Sequence, residues 1–271
     1  MTMLTVVKMG GTVLEEGLTE PFIQDIKRCL SQTSIVLVHG GGKTVTQVAS
    51  KIGKEQQFIT SPEGFRSRHT DKETMEIFTM VMAGKINKHI VSSLLAHDIP
   101  AVGITGIDGA LVKASRKKQL VAVDETGRKR LVEGGYTGKI EAVDAKLTRL
   151  LVENRYVPVV APIAIGEEFE ELNVDGDRMA AHIAGNLKAE KLILMTDVKG
   201  LVLDGKLVSR LALKEAEANL QKIGKGMITK VHAAVEAIRL GVGEVVVTSG
   251  LEDASLSRSL QGGSGTVIVR G

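Results

Sequence analysis

Short apolar runs alternate with amphipathic stretches along this chain, and the first two apolar runs end in glycines. One reads Val6-Val7-Lys8-Met9-Gly10-Gly11; the other reads Ile35-Val36-Leu37-Val38-His39-Gly40-Gly41-Gly42. Apolar strands alternating with helices imply a mostly parallel sheet with helices on both faces. Glycine at the C-terminal end of such a strand lets backbone N–H groups approach a bound anion with no Cβ in the way. A helix following each turn adds its positive N-terminal end to the same place. Two such ends in one parallel sheet, with Lys8 between them, would form a place to hold and neutralise phosphate. Phosphoryl transfer is the chemistry these residues point to.

The alternation continues downstream. Helices are expected near 19–31 and 43–52, between and after strands 4–8 and 35–38. Thr70 and Asp71 read as capping residues for a long helical stretch to about His97, in which Met75, Phe78, Met82, Ile86 and Ile90 form an apolar stripe. Gly84 either interrupts that helix or brings its backbone close to a neighbour. Residues 100–104 read as a buried strand. Segments 110–116, 119–124 and 129–133 read as short antiparallel strands joined at the tip by Glu125-Thr126-Gly127. A helix at about 143–154 leads to an extended run over 157–162. The second half restarts with a helix over 177–187, a strand over 191–195 and a type I′ hairpin at Asp204-Gly205. Helices over 212–220 and 227–240 and strands over 244–248 and 266–269 complete the pattern. A lobe boundary is placed near 165–175, where Gly166 and the acidic run Glu167, Glu168, Glu170 and Glu171 interrupt it.

The 271 residues are enough for one large domain or two smaller lobes. No apolar run reaches ~18 residues, so no membrane span is expected. Met1 to Thr5 lead directly into the first strand without a basic region or an apolar core of the signal-peptide kind, which makes the cytoplasm the default compartment. The single Cys29 excludes an internal disulfide and a cysteine-cluster metal site, and reads as a small core residue. With two Tyr, five Phe and no Trp, an aromatic-stacking nucleic-acid surface is not expected.

Charge is unevenly spread. Lys113, Arg116, Lys117, Lys118, Arg128, Lys129 and Arg130 against Asp124 and Glu125 give one segment +5, leaving −2 for the rest of a chain whose net charge is +3. A cationic patch on a near-neutral body fits an acidic partner. It also fits a solvated hairpin whose lysines discourage edge pairing.

Two motifs fail on inspection. Gly42-Lys43-Thr44 resembles the end of a P-loop, but position 37, where that motif needs glycine, is Leu37. The glycines of 103–109 are wrongly spaced for a dinucleotide fingerprint. The six histidines show no close-spaced metal-ligand pairing, and His39 reads as a satisfied core histidine.

Further segments add to the glycine-rich strand ends. They are Phe65-Arg66-Ser67-Arg68-His69-Thr70-Asp71, Gly84-Lys85-Ile86-Asn87-Lys88, Asn173-Val174-Asp175-Gly176-Asp177, Thr196-Asp197-Val198-Lys199-Gly200-Leu201 and Gly224-Lys225-Gly226-Met227-Ile228-Thr229-Lys230. In this order they resemble the amino acid kinase family, and most closely its acetylglutamate kinases, over nearly the whole chain. The resemblance implies an α/β three-layer sandwich with a mostly parallel central sheet in two lobes, of the carbamate kinase-like fold. Residues 1–172 would bind the carboxylate substrate and take part in dimerisation, and 173–271 would bind ATP, with Mg²⁺ arriving on the nucleotide. Lys8 and Lys230 would contact the transferring phosphoryl group and Asp177 would orient them. Gly10, Gly11, Gly41 and Gly42 would cradle phosphate and the reacting carboxylate. Arg68 would grip the substrate's α-carboxylate and Asn173 its amide end, with Thr196, Asp197, Gly200 and Met227 around the nucleotide. Plainer readings stand beside these: a structural cation for Lys8, a solvated helix residue for Lys230, a helix cap for Asp177, Arg66 in place of Arg68, and a surface role for Asn87.

Ordinary acetylglutamate kinases read Gly-Leu-Arg-Val-Thr at the substrate arginine. Here the run is Gly64-Phe65-Arg66-Ser67-Arg68-His69-Thr70, and Gly134-Gly135-Tyr136-Thr137-Gly138-Lys139-Ile140 follows the basic segment. Both features are similar to the kinases acting on aminoadipate or glutamate attached to the acidic amino-group carrier protein LysW. In that group the substrate's α-amino group is bonded to the carrier's C-terminal glutamate. The resemblance implies a homodimer and carrier docking on the seven basic residues, and the composition leads us to expect neither a nucleic acid nor a membrane partner. An N-acetylglutamate kinase and a non-catalytic nucleotide-binding regulator are the alternatives.

Overall fold

The computed structural model describes residues 3–14, 17–62, 64–123, 127–220, 223–224 and 226–271. Met1 and Thr2, the tip residues 124–126 of the expected basic hairpin, and Lys225 lie outside the described residues.

The chain opens with β1 (Met3–Met9), α1 (Glu20–Cys29), β2 (Thr33–His39) and α2 (Gly42–Lys51). A small hairpin of β3 (Phe58–Thr60) and β4 (Arg66–Arg68) precedes α3 (Lys72–Thr79), a π-helical segment (Met80–Ile86) and α4 (Asn87–Leu95). Then come β5 (Ala101–Thr105), β6 (Val112–Arg116), β7 (Gln119–Val123), β8 (Lys129–Glu133), β9 (Gly138–Val143) and α5 (Lys146–Glu153). After β10 (Val157–Ala161), β11 (Ile163–Ile165) and β12 (Glu171–Asn173), α6 (Gly176–Leu187) leads to β13 (Lys191–Thr196). The hairpin of β14 (Val202–Leu203) and β15 (Lys206–Leu207), β16 (Arg210–Ala212), α7 (Leu213–Asn219), α8 (Met227–Arg239), β17 (Glu244–Ser249), α9 (Ser255–Leu260) and β18 (Thr266–Val269) complete it.

Eight strands form one sheet in the order β16-β18-β17-β13-β1-β2-β10-β5, parallel throughout except between β17 and β18. The alternation of side chains along a strand sends successive residues to opposite faces. Val6 and Val38 pack with α6 and α8 on one face, while Val7, Met9 and Leu37 pack with α1, α4 and α9 on the other. Helices therefore cover both faces, the three-layer α/β sandwich anticipated above. The same alternation places Lys8, two residues after Val6, on the α6 and α8 face. Cys29 lies in the opposite core, where burial pushes its thiol up to about 12.

The expected trio of antiparallel strands over 110–133 is rearranged. β7 and β8 pair only with each other, whereas β6 pairs with β9 and β11 in a four-stranded sheet, β12-β11-β6-β9. Burial decides the partner. Val112 and Ala114 of β6 share a core with Ile140 of β9, but β7 carries a half-exposed Val121.

The helical stretch from 72 to 95 runs without a break but changes pitch over Met80–Ile86. Asp71 caps it, accepting from the Thr74 N–H at 2.8 Å. A Cβ on Gly84 would meet nothing within 4 Å, so the interruption is the π-helical turn and not a close backbone approach. The turn brings Met82 and Ile86 against the loop after β2. Gly41 there has φ 151°, a conformation that residues with a Cβ rarely adopt, and a Cβ on it would run into the end of the Ile86 side chain. Asp204 (φ 49°) and Gly205 (φ 76°) form the left-handed turn expected between β14 and β15.

Candidate active site

The carboxyl ends of the adjacent parallel strands β13, β1 and β2 bring the two glycine turns together. Open α/β sheets bind ligands at such strand ends. The turns meet backbone to backbone: a Cβ on Gly40 would lie 3.1 Å from Gly11 N, and one on Gly11 would lie 3.4 Å from Gly41 N, while one on Gly10 would lie 3.0 Å from Met195 O of β13. A cavity of about 550 Å³ opens beside them, lined by Lys8, Gly40, Gly41, Gly42, Arg68 and Asn173, among others. The first turns of α2 and α6 reach it through Gly42 and Gly176, so both helix dipoles favour an anion there.

Lys8, Asp177 and Lys230 meet. Lys8 Nζ lies 2.6 Å from Asp177 Oδ1, and Lys230 Nζ lies 3.3 Å from Oδ2. The three come from β1, the first turn of α6 and the first turn of α8. Burial alone would raise the Asp177 carboxyl, but the two ammonium groups overcome it and hold the carboxyl below its ordinary value. Burial works against the Lys8 ammonium as well, and the charge of Asp177 more than offsets it, so that lysine titrates above its ordinary range. Asp177 is not the helix cap. That role belongs to Asp175, whose Oδ1 accepts from the Arg178 N–H at 2.9 Å.

Arg68 and Arg66 are clearly distinguished. Arg68 is buried, and its guanidinium donates to Gly42 O (2.7 Å), Thr46 Oγ1 (3.0 Å) and Gln56 Oε1. Arg66 is exposed at the cavity rim, stacked 4.3 Å from the centre of the Phe58 ring. Asn173 Nδ2 donates to Thr70 Oγ1 at 3.0 Å.

Thr196, Asp197, Gly200 and Met227 lie apart from this cavity, past the end of β13 and at the start of α8. Thr196 Oγ1 donates to Asp197 Oδ1 at 3.0 Å. A Cβ on Gly200 would lie 2.7 Å from Thr266 Oγ1.

The seven basic residues do not form one patch. Lys118, Arg128, Lys129 and Arg130 lie exposed on or beside the β7–β8 ribbon, and Lys113 lies exposed on β6. Arg116 is turned inward: its Nε donates to Gly135 O at 2.6 Å and its guanidinium stacks 4.1 Å over the Tyr136 ring. Lys117 is half-buried and lines the cavity.

His39 and Asn87 are linked inside the fold. His39 Nδ1 lies 3.0 Å from Gly40 O, and its Nε2 lies 3.2 Å from Asn87 Nδ2, which also donates to Val159 O at 2.9 Å. Nδ1 therefore carries the proton and Nε2 accepts. Burial pushes this histidine down to about 4. An unfolded histidine titrates near ~6.5, so the unfolded chain binds the extra proton first. The contribution of His39 is fully present above that value and lost as pH falls from ~6.5 toward 4, about 3 kcal/mol in all. Urea unfolding at pH 7.5 and 4.5 should show this loss, and His39→Asn should reduce the difference between the two pH values. An unchanged difference in the variant would refute the assignment.

Some residues at the cavity carried no separate signal. Phe65 and His232 meet edge to face with centroids 5.7 Å apart, although they are far apart in sequence. Arg178 pairs with Glu236 through two bonds of 2.8 and 2.6 Å.

Residues 3–249 match the model of the amino acid kinase family. The chain belongs to that family. A relative from Cenarchaeum symbiosum is 51% identical over 98% of this chain and 99% of its own. Another amino acid kinase relative, from Saccharolobus solfataricus, is 44% identical over 99% of this chain and 100% of its own and is named [LysW]-aminoadipate/[LysW]-glutamate kinase. Among solved structures, N-acetylglutamate synthase from Neisseria gonorrhoeae superposes with a TM-score of 0.82 at 23% identity, covering 100% of this chain and 60% of that one. That likeness is one of fold. Among the described residues, no helix is long and apolar enough to cross a membrane.

Proposed function

We propose that this chain transfers the γ-phosphoryl group of ATP to the distal carboxylate of aminoadipate or glutamate whose amino group is joined to an acidic LysW-type carrier, giving an acyl phosphate in lysine biosynthesis. The observation that carries the reading is the Lys8–Asp177–Lys230 cluster beside a cavity that Lys8 and Arg68 both line. The relative named for this activity supports the choice of substrate. Residues 1–172 would supply the carboxylate side and 173–271 the nucleotide side, with Thr196, Asp197, Gly200 and Met227 around the nucleotide. Lys8 and Lys230, one from each part, converge on Asp177.

The chemistry needs positioning and positive charge. A carboxylate is ionised at neutral pH, so no general base is required to make it a nucleophile. It approaches an anionic phosphoryl group whose transition state spreads charge over the equatorial oxygens. Lys8 and Lys230 supply cations at that point. Asp177 fixes both ammonium groups, so little reorganisation accompanies the transfer. The glycine turns give backbone N–H groups close access to phosphate oxygens. Arg68, held by three acceptors, offers its remaining N–H groups to the α-carboxylate. Mg²⁺ would neutralise phosphate charge, bound through phosphates and water. Among the described residues, no cluster of three or more His, Cys, Asp or Glu side chains is placed to hold an ion.

An acidic carrier would meet the exposed basic residues of the β7–β8 ribbon beside the cavity mouth. Electrostatic steering of this kind raises association rates and weakens with salt. Purified protein with ATP, Mg²⁺ and hydroxylamine should give hydroxamate with loaded carrier. The double variant Lys118→Glu/Lys129→Glu should raise KM for the carrier about tenfold or more at low salt, with a smaller effect in 0.5 M salt. Hydroxamate from N-acetylglutamate alone would overturn the carrier reading. A homodimer, a second role in arginine biosynthesis and a cytoplasmic setting stay within this proposal.

A further inference from the structure

The cavity holds more positive charge than a simple N-acylated diacid requires. Five cationic side chains line it, namely Lys8, Arg66, Arg68, Lys117 and Arg178, against one carboxylate, Asp175. Lys8 is paired with Asp177 and Arg178 with Glu236. Arg68 is held by neutral acceptors only. Lys117 and Arg66 have no ion pair with any carboxylate among the described residues. An N-acylated diacid brings two carboxylates, one to the phosphoryl group beside Lys8 and one to Arg68. With Lys8 and Lys230 meeting the phosphoryl group and Arg68 the α-carboxylate, these anions have their cations, and Lys117 still faces the cavity.

Chemistry supplies a third anion. If the substrate's amino group is bonded to a glutamate at the carrier's C-terminus, that glutamate uses one of its two carboxyls for the amide. Whichever carboxyl forms the bond, the other stays free and ionised. We infer that Lys117, with Arg66 at the rim, forms a subsite for this remaining carboxylate, so the enzyme selects acyl groups that carry a negative charge of their own. The inference rests on the function proposed above and deepens it. It also moves Lys117 from the docking surface to substrate recognition.

The position suits the role. Lys117 follows the last residue of β6, its backbone N–H bonded to Thr137 O at 2.9 Å, so its stem leaves from an ordered strand end. Burial pulls its ammonium below the ordinary lysine value, and Arg178 adds to the effect, which the charge of Asp175 offsets only in part. A carboxylate arriving there relieves both and gains a charge-assisted hydrogen bond.

Two synthetic substrates of equal length isolate the charge: N-glutaryl-aminoadipate and N-pentanoyl-aminoadipate. Hydroxamate formation should give a kcat/KM ratio of about ten- to a hundredfold in favour of the glutaryl compound, the range expected for a hydrogen-bonded ion pair. In Lys117→Ala that ratio should fall toward one, through KM more than kcat, and Lys117→Arg should restore part of it. Where neither compound is turned over, their inhibition constants against loaded carrier give the same ratio. A wild-type ratio near one, or a ratio kept in Lys117→Ala, overturns the subsite while leaving the carboxylate kinase intact. No hydroxamate from either compound or from loaded carrier overturns the parent reading and the subsite with it.

Discussion

Lys8→Ala is expected to lower kcat about 10²–10³-fold, the usual loss when one preorganised electrostatic group is removed from a transition state. The position explains the size of the effect. Lys8 reaches the α6 and α8 face because β1 alternates, and the paired strands β2 and β13 hold β1 on both sides. Its ammonium is 2.6 Å from Asp177 and lines the cavity, so it stays charged and fixed before substrate arrives. ATP binding, measured by calorimetry, should change far less than turnover, since Thr196, Asp197, Gly200 and Met227 are the residues proposed to lie around the nucleotide. Lys8→Met keeps the stem and tests charge apart from packing. A loss below about tenfold in both variants would remove Lys8 from the chemistry. Lys230 is more exposed and 3.3 Å from the carboxylate, so its replacement should follow the same pattern.

Asp177→Asn carries the second large effect, on stability as well as rate. The amide keeps the shape but leaves two ammonium groups facing each other without the charge between them. Removing one partner of a buried ion pair costs about 3–5 kcal/mol. In a chain of this size that is a fall in Tm on the order of 10 °C. The pH behaviour identifies the cause. The folded-state pKa of Asp177 is depressed, so its contribution is present above the unfolded value of ~3.9 and lost only as pH falls through the folded value. The folded-state pKa of Lys8 is raised, so its contribution is present below the unfolded ~10.4 and lost as pH rises through the folded value. Asp177→Asn should therefore lower Tm by a similar amount at pH 5.5 and pH 8. A deficit confined to one of these pH values would place the energy in another group.

The parallel core was legible because its strands are long, apolar and bounded by glycine or polar turns, as at 35–38 and 191–195. Lys8, Asp177 and Lys230 were recognisable only as an ordered set, since no spacing in the sequence says that residues so far apart share one carboxylate. The strands of three residues, such as β3, β4, β11, β12 and β16, are too short for alternation to register. β9 was missed because its buried Ile140 stands among polar neighbours. The charge run over 113–130 hid a division that depends on side-chain direction. Arg116 and Lys117 turn toward the body of the protein, while Lys118 faces solvent. The π-helical turn was visible only as a glycine in a helix, with nothing to indicate a change of pitch.

The place of β1 in the sheet also governs the order in which the protein is completed during synthesis. β1 leaves the ribosome long before β13, yet the two lie side by side in the middle of the sheet, with Thr5 opposite Lys191. Until β13 emerges, one edge of β1 presents unpaired backbone groups and apolar side chains, which is the hallmark of an aggregation-prone nascent chain. The strand carrying Lys8 thus stays half-paired until β13 emerges, and Asp177 and Lys230 reach it only with the segments on either side of that strand.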